Sequence, residues 1–168
     1  MNNEQPKGPI IMELFNSMRQ LFRDISLIIN KFDECFTDKG YKVRGGSGIT
    51  KDNSQSLYDP ERWLLEGIYR LYYKEDNVIY GFNISFRRGN TEPLMIAGKI
   101  TYNSKGMVSE WDLWDIWYDS ENTMSPGDND LKEIHNERII TCKIFAIPLV
   151  QLTGNDKIQV IAKRIIDL

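Results

Sequence analysis

A chain of 168 residues can enclose one hydrophobic core, and a composition of 41% apolar and 27% charged residues is that of a globular protein rather than a disordered one. The formal net charge of −3 excludes a chain that is basic overall, so we do not expect nucleic acid as a partner. Because the longest apolar runs are four residues or fewer, we also expect no segment that spans a membrane.

The start of the chain is polar and includes Pro6 and Gly8, which predicts a flexible tail over residues 1–8 and a single domain over residues 9–168. It has neither the cationic residues nor the apolar stretch of a secretory signal, so we expect a cytoplasmic protein. Cys35 and Cys142 have no zinc-like spacing and are expected to be buried thiols in that reducing compartment.

Residues 9–38 are predicted to form one long helix. Pro9 suits its first turn, and Gly40 suits the position just beyond its end. A helix of about 28 residues is roughly 40 Å long, which is longer than a small sheet is wide. We expect it to lie across a sheet, with a coiled-coil seam or a dimer contact as alternatives. The apolar residues on one face recur at alternating steps of four and three: Ile11, Phe15, Met18, Phe22, Ile25, Ile29, Phe32 and Phe36.

Residues 41–60 are rich in Gly, Ser, Asn and Asp, which predicts a loop with at most a short strand at residues 41–44. The stretch from Arg44 to Lys51 combines glycines, a hydroxyl group and a lysine, but its spacing is not that of a phosphate-binding loop. We interpret it as a loop that could cover a ligand.

Several strands are predicted next. Apolar and polar residues alternate in residues 68–74 and 78–87, on either side of the turn-forming residues 75–77, as in a β-hairpin. Residues 94–102 form a third strand. Residues 107–118 fit either a helix or a strand, and we favour the strand because aromatic residues are enriched there.

The last third of the chain begins with a predicted acidic loop at residues 119–136, which has one helical turn near residues 131–135. Residues 137–152 are apolar at nearly every position, so we predict a strand that is buried on both faces and ends near Pro148. A short C-terminal helix is predicted after it, with a final strand through Ile158 and Val160 as the alternative. The residues at helical spacing are Ile158, Ile161, Ile165 and Leu168.

The order of these elements predicts the fold class. We expect an α+β domain in which an antiparallel sheet of about five strands, arranged as a meander, carries the long N-terminal helix and the short C-terminal helix.

Catalytic residue types are scarce in this chain. His135 is the only histidine, and no nucleophile motif of the GxSxG type is present. We therefore name no catalytic residue, no cofactor and no metal ligand. The alternative is a metal-dependent enzyme that uses clustered carboxylates such as Asp112 and Asp115.

The acidic and aromatic residues 110–119 are the most unusual feature of the sequence. If they form a strand, each face mixes rings with carboxylates, and a buried face does not tolerate unpaired carboxylates. We expect exposed rings that anchor a protein contact, and this favours a non-catalytic protein-binding or adaptor domain with a protein partner or a homodimer. The predicted anchors are Trp111, Trp114, Trp117 and Tyr118.

The alternative to a protein-binding domain is a small-molecule-sensing domain with a pocket between sheet and helix, gated by the loop of residues 44–56. The predicted lining residues are Tyr69, Tyr73, Tyr80, Phe82 and Phe86. A local anion site is also conceivable where this loop meets the end of the hairpin. Its predicted residues are Arg44, Lys51, Arg87 and Arg88.

Overall fold

The structure is a computed structural model, which describes residues 7–53, 56–58, 64–86, 92–103, 132–136 and 139–168. The elements in chain order are α1 (Lys7–Thr37), β1 (Lys42–Val43), β2 (Thr50–Asp52), β3 (Gly67–Tyr73), β4 (Val78–Ser85), β5 (Leu94–Tyr102), β6 (Lys132–Asn136), β7 (Ile139–Pro148), a 3-10 turn (Leu149–Gln151) and α2 (Asn155–Ile166). Neither helix of this described part is long and apolar enough to cross a membrane.

The strands form one antiparallel sheet. Its order is β1-β3-β4-β5-β7-β6, and β2 pairs with β3 as well. β1 and β2 pair with the two ends of β3, since Lys42 lies opposite Tyr73 and Lys51 lies opposite Ile68. The predicted α+β class, with a long N-terminal helix, an antiparallel sheet and a short C-terminal helix, is confirmed.

Three local predictions need correction. The helical turn predicted near residues 131–135 is wrong, because Lys132–Asn136 form a strand that pairs with β7. Thr50–Asp52, predicted as loop, form β2 because their backbone pairs with β3. The strand alternative for the C-terminal residues is wrong, since Asn155–Ile166 form α2. The strand predicted at residues 107–118 lies outside the described residues.

The predicted apolar stripe of α1 is divided into a buried half and an exposed half. Its residues from Ile25 to Phe36 are buried against strands and α2. Phe22 is half-buried, and Ile11 and Phe15 are each 51% exposed. The periodicity therefore marks one continuous face, but the sheet and α2 cover only its second half.

Successive side chains of a strand point to opposite faces of the sheet. Because apolar residues occupy consecutive positions in these strands, both faces are apolar. The face toward the helices carries Ile68, Tyr72 and Phe82, and the opposite face forms a second cluster that includes Tyr69 and Ile144. Strand β7 contributes to both clusters, as predicted for a strand buried on both sides.

Close backbone approach explains two glycines in the middle of the sheet. Gly81 and Gly98 lie opposite each other in β4 and β5. A Cβ atom on Gly81 would lie 2.5 Å from the carbonyl oxygen of Arg70, and one on Gly98 would overlap the carbonyl oxygen of Lys143. Any side chain there would force the neighbouring strands apart.

Both cysteines are free thiols. Cys142 is fully buried, and burial raises the pKa of its thiol to about 12. Cys35 is half-buried, and burial raises its pKa as well. The two thiols are therefore protonated at neutral pH, as expected for structural rather than reactive cysteines.

Candidate functional site

A cavity of about 600 Å³ lies between α1 and the first half of β3. The turn between β1 and β2, residues 44–49, lies against it and is called the covering loop below. Gly45 and Gly46 adopt φ angles of 75° and 60°, a left-handed conformation that strains other residues. Because β1 and β2 pair with the two ends of β3, the covering loop is held beside that strand.

One wall of the cavity is apolar. It is formed by Phe22, Ile25 and Ile29 of α1 together with Leu65 and Ile68 beside and within β3. Ile25, Ile29 and Ile68 also belong to the helix-side core, so this wall is fixed by the packing of α1 on the sheet. A rigid apolar wall of this kind favours the burial of an apolar ligand surface.

The other side of the cavity contains a buried ion pair. Arg70 of β3 donates from Nε to Oδ1 of Asp33 in α1 over 2.9 Å, and its Nη2 donates to Oδ2 of the same carboxylate. Tyr72 donates its hydroxyl to Oδ1 of Asp33 over 2.8 Å. The Arg70 side chain is 5% exposed and that of Asp33 is 21% exposed. This two-point contact fixes both side chains in one geometry.

The arginine of this ion pair also forms a hydrogen bond with the covering loop. Nη1 of Arg70 donates to the carbonyl oxygen of Gly48. One guanidinium therefore joins three segments that are distant in sequence: the helix through Asp33, its own strand and the loop through Gly48. A shift of any one of the three would break a charge-assisted hydrogen bond.

The protonation states of this cluster are set by its surroundings. The hydrogen bond to Asp33 raises the pKa of the Arg70 guanidinium above its already high value. Burial raises the pKa of the Tyr72 hydroxyl well above its usual value, and the charge of Asp33 raises it further. At neutral pH the guanidinium of Arg70 is therefore a cation and the hydroxyl of Tyr72 is a neutral phenol.

The remaining polar residues of the cavity lie toward solvent. They are Ser26, Asn30, Ser47, Lys51 and Asn53, all of which are exposed. Lys51 adds one positive charge to the lining. Among the described residues, no group of three or more His, Cys, Asp or Glu side chains is placed to hold a metal ion.

The five aromatic residues predicted to line a pocket lie elsewhere than in this lining. Tyr69 belongs to the cluster on the opposite face, and strand alternation places Tyr73 on that face too. Phe82 fills the core, with its ring 4.7 Å from that of Phe32. The rings of Tyr80 and Phe86 contact Tyr41 and Phe22 at 5.0 and 6.2 Å.

The residues predicted for an anion site do not all lie at one place. Lys51 lines the cavity, whereas Arg44 lines a separate, smaller pocket of about 140 Å³ beside Tyr69 and Leu71. Arg87 and Arg88 lie outside the described residues. So do the predicted aromatic anchors Trp111, Trp114, Trp117 and Tyr118 and the carboxylates of Asp112 and Asp115.

The sequence interpretation missed the residues at the centre of the site. Asp33 and Arg70 are 37 positions apart, and neither is among the residues predicted for a site. A usable signal exists, since Arg70 shares a strand face with Ile68 and Tyr72, both of which are buried. A charge on a buried strand face needs a partner of opposite sign.

No protein-family model, curated protein or solved structure matches this chain. The function is therefore inferred from the site alone.

We predict that Asp33→Asn lowers the free energy of unfolding by about 3 kcal/mol, because it leaves the Arg70 guanidinium buried without a counter-charge. Glu34→Gln is the matched control. Glu34 is the next residue of the same helix, and its ion pair with Lys31 is exposed, so we expect a much smaller loss from it. Urea unfolding of both variants measures the two losses. Equal losses would contradict the structural role assigned to the buried pair.

A second prediction concerns alkaline pH. The raised pKa of Tyr72 means that the unfolded chain loses this proton near pH 10 while the folded chain keeps it. Tyr72 therefore contributes stability that is present below pH 10 and falls above it by about 1.4 kcal/mol per pH unit. In Tyr72→Phe, the loss of stability that Tyr72 causes above pH 10 is absent. Urea unfolding between about pH 8 and 11 compares the two slopes, and parallel curves for the two proteins would refute the assignment.

Proposed function

We propose that this domain binds a small organic molecule in the cavity between α1 and β3. The observation that carries the proposal is the combination of an apolar wall with a buried, oriented guanidinium in a space of about 600 Å³. Ligand pockets in proteins measure about 300–1,000 Å³ and combine an apolar lining with a few fixed polar groups. The cavity has the size and the lining of such a pocket.

The covering loop supports the same proposal. It connects two strands of only two and three residues, and its conformation depends on glycines. The loop is joined to β3 by the hydrogen bond from Arg70 to the Gly48 carbonyl and by the backbone hydrogen bond from Arg44 to Leu71. A loop on such short strands can open to admit a ligand and then close over it, and closing re-forms the contact with Arg70.

The test is a thermal-stability screen of amphipathic molecules with about 10–20 non-hydrogen atoms. A ligand at about 100 times its Kd stabilises the folded state by about 2.7 kcal/mol, which raises Tm by about 5 °C or more. Ser26→Trp places an indole at the cavity, and we expect it to weaken binding of every hit at least tenfold. Ser17→Trp, an exposed position of α1 away from the cavity, is the matched control. A screen without hits, or hits that bind both variants equally, would refute the proposal.

A second candidate function is protein contact through self-association, as expected from the regular stripe of α1. The first half of this helix exposes Ile10, Ile11, Met12, Leu14 and Phe15, each between 43% and 61%. A cluster of exposed apolar side chains on one helix favours a protein contact.

The partner that suits this surface is a second copy of the chain. In an antiparallel pair of helices that cross near Asn16, Glu13 of one copy lies level with Arg19 of the other, so opposite charges flank the apolar stripe. The predicted anchors in residues 111–118 remain a separate proposal for contact with another protein.

Light scattering at several protein concentrations tests self-association. We expect a dimer, and we expect Phe15→Glu to yield a monomer because it places a charge inside the apolar contact. The control is Leu27→Glu, since Leu27 is 65% exposed in the part of α1 that packs on the sheet and lies off the stripe. A monomer at every concentration, or the same loss in both variants, would overturn this candidate.

A further inference from the structure

We propose that the cavity selects an amphipathic carboxylate, with the carboxylate held by Arg70 and Lys51 and the apolar body packed against the wall formed by Phe22, Ile25, Ile29, Leu65 and Ile68. This inference rests on the proposed ligand-binding function and names its ligand class. Three features of the site support it: unused donors of Arg70, the charge of the lining, and the position of the apolar wall.

The donors of Arg70 are not all used by the protein. A guanidinium carries five N–H groups. Asp33 accepts two hydrogen bonds from it, and the Gly48 carbonyl accepts a third. The hydroxyl of Tyr72 is in hydrogen-bond contact with the guanidinium as well, so at least one N–H group is left for a further acceptor, in a side chain that is 5% exposed and lines the cavity. Buried donors of a charged group need acceptors, and a ligand oxygen in the cavity can provide them.

The charge of the lining selects an anion. Asp33 is neutralised by Arg70, and its oxygens also accept the hydroxyl of Tyr72. Lys51 then gives the lining one net positive charge, since its ammonium forms no ion pair within the described residues. A monoanion balances this charge. A phosphate monoester, with a charge of about −2 at neutral pH, would leave the site with excess negative charge next to Asp33.

The apolar wall defines the rest of the ligand. It extends along α1 from Ile29 to Phe22, away from the ion pair at Asp33. A ligand that spans the cavity therefore needs an acidic end and a hydrocarbon or aromatic body. A hydroxyl group that a ligand places against the isoleucine and phenylalanine side chains of this wall would find no acceptor there, which disfavours a ligand that is polar along its whole length.

Three unbranched probes with eight carbon atoms each test this inference by titration calorimetry: octanoate, octanamide and octylammonium. Octanoate is expected to bind at least tenfold more tightly than octanamide, because a charge-assisted contact is about twice as strong as a neutral one. Octylammonium is expected not to bind, because Lys51 and Arg70 repel it. Added salt weakens octanoate binding more than octanamide binding.

Lys51→Glu reverses the one unbalanced charge of the lining and is expected to weaken octanoate binding about tenfold with little effect on octanamide. Lys42→Glu is the matched control. Lys42 is exposed on β1 away from the cavity, so this substitution makes the same change in net charge without altering the lining. Urea midpoints of both variants establish that each folds like the wild type. Lys51→Met, which removes the charge and keeps an unbranched side chain of nearly the same length, is expected to have an intermediate effect.

The outcomes separate this inference from the proposed function. If octanamide or octylammonium binds as tightly as octanoate and Ser26→Trp abolishes that binding, the carboxylate preference is refuted and the cavity remains a ligand site. If octanoate binds best but Lys51→Glu and Lys42→Glu weaken it equally, the assigned charge contact is refuted. If none of the probes binds, the carboxylate class is overturned, and the wider screen alone decides whether the cavity binds ligands.

Discussion

The two-point contact between Arg70 and Asp33 is the constraint on which the geometry of the site depends. It fixes the rotation of α1 about its own axis relative to β3, because a carboxylate and a guanidinium must be coplanar to form both hydrogen bonds. The same guanidinium holds the carbonyl of Gly48. The helix, the sheet and the covering loop are therefore joined through the guanidinium of Arg70. The cavity lies beside this junction and next to the apolar core.

Stability alone does not explain such a pair. Removing two charges from water is costly, and well-packed apolar residues in the place of a buried ion pair are often as stabilising. Apolar residues at positions 33 and 70 would extend the core formed by Phe32, Phe36 and Tyr72. The pair instead keeps hydrogen-bonding groups beside the apolar wall of the cavity, which is an arrangement that suits an oriented ligand.

The sequence predicts most of the fold because the local patterns are strong. The three-and-four spacing of α1 and the period-two pattern in β3 and β4 each fit a single element type, and all three elements are found where they were predicted. Strand β6 was missed because a short edge strand is defined by its pairing with β7 rather than by its own composition. The site was missed for a similar reason, since an ion pair between residues 37 positions apart is a property of the packed structure.

The two proposed functions use different parts of one helix. The cavity is bounded by α1 from Phe22 to Asp33, and the exposed apolar surface extends from Ile10 to Phe15. The helix has 31 residues and is longer than the part of it that packs on the sheet. Its apolar stripe continues beyond that part. Phe22 is the boundary residue, since it is half-buried, contacts Phe86 and lines the cavity. Because an α-helix is stiff along its axis, any shift of α1 would displace the cavity wall and the exposed apolar surface together.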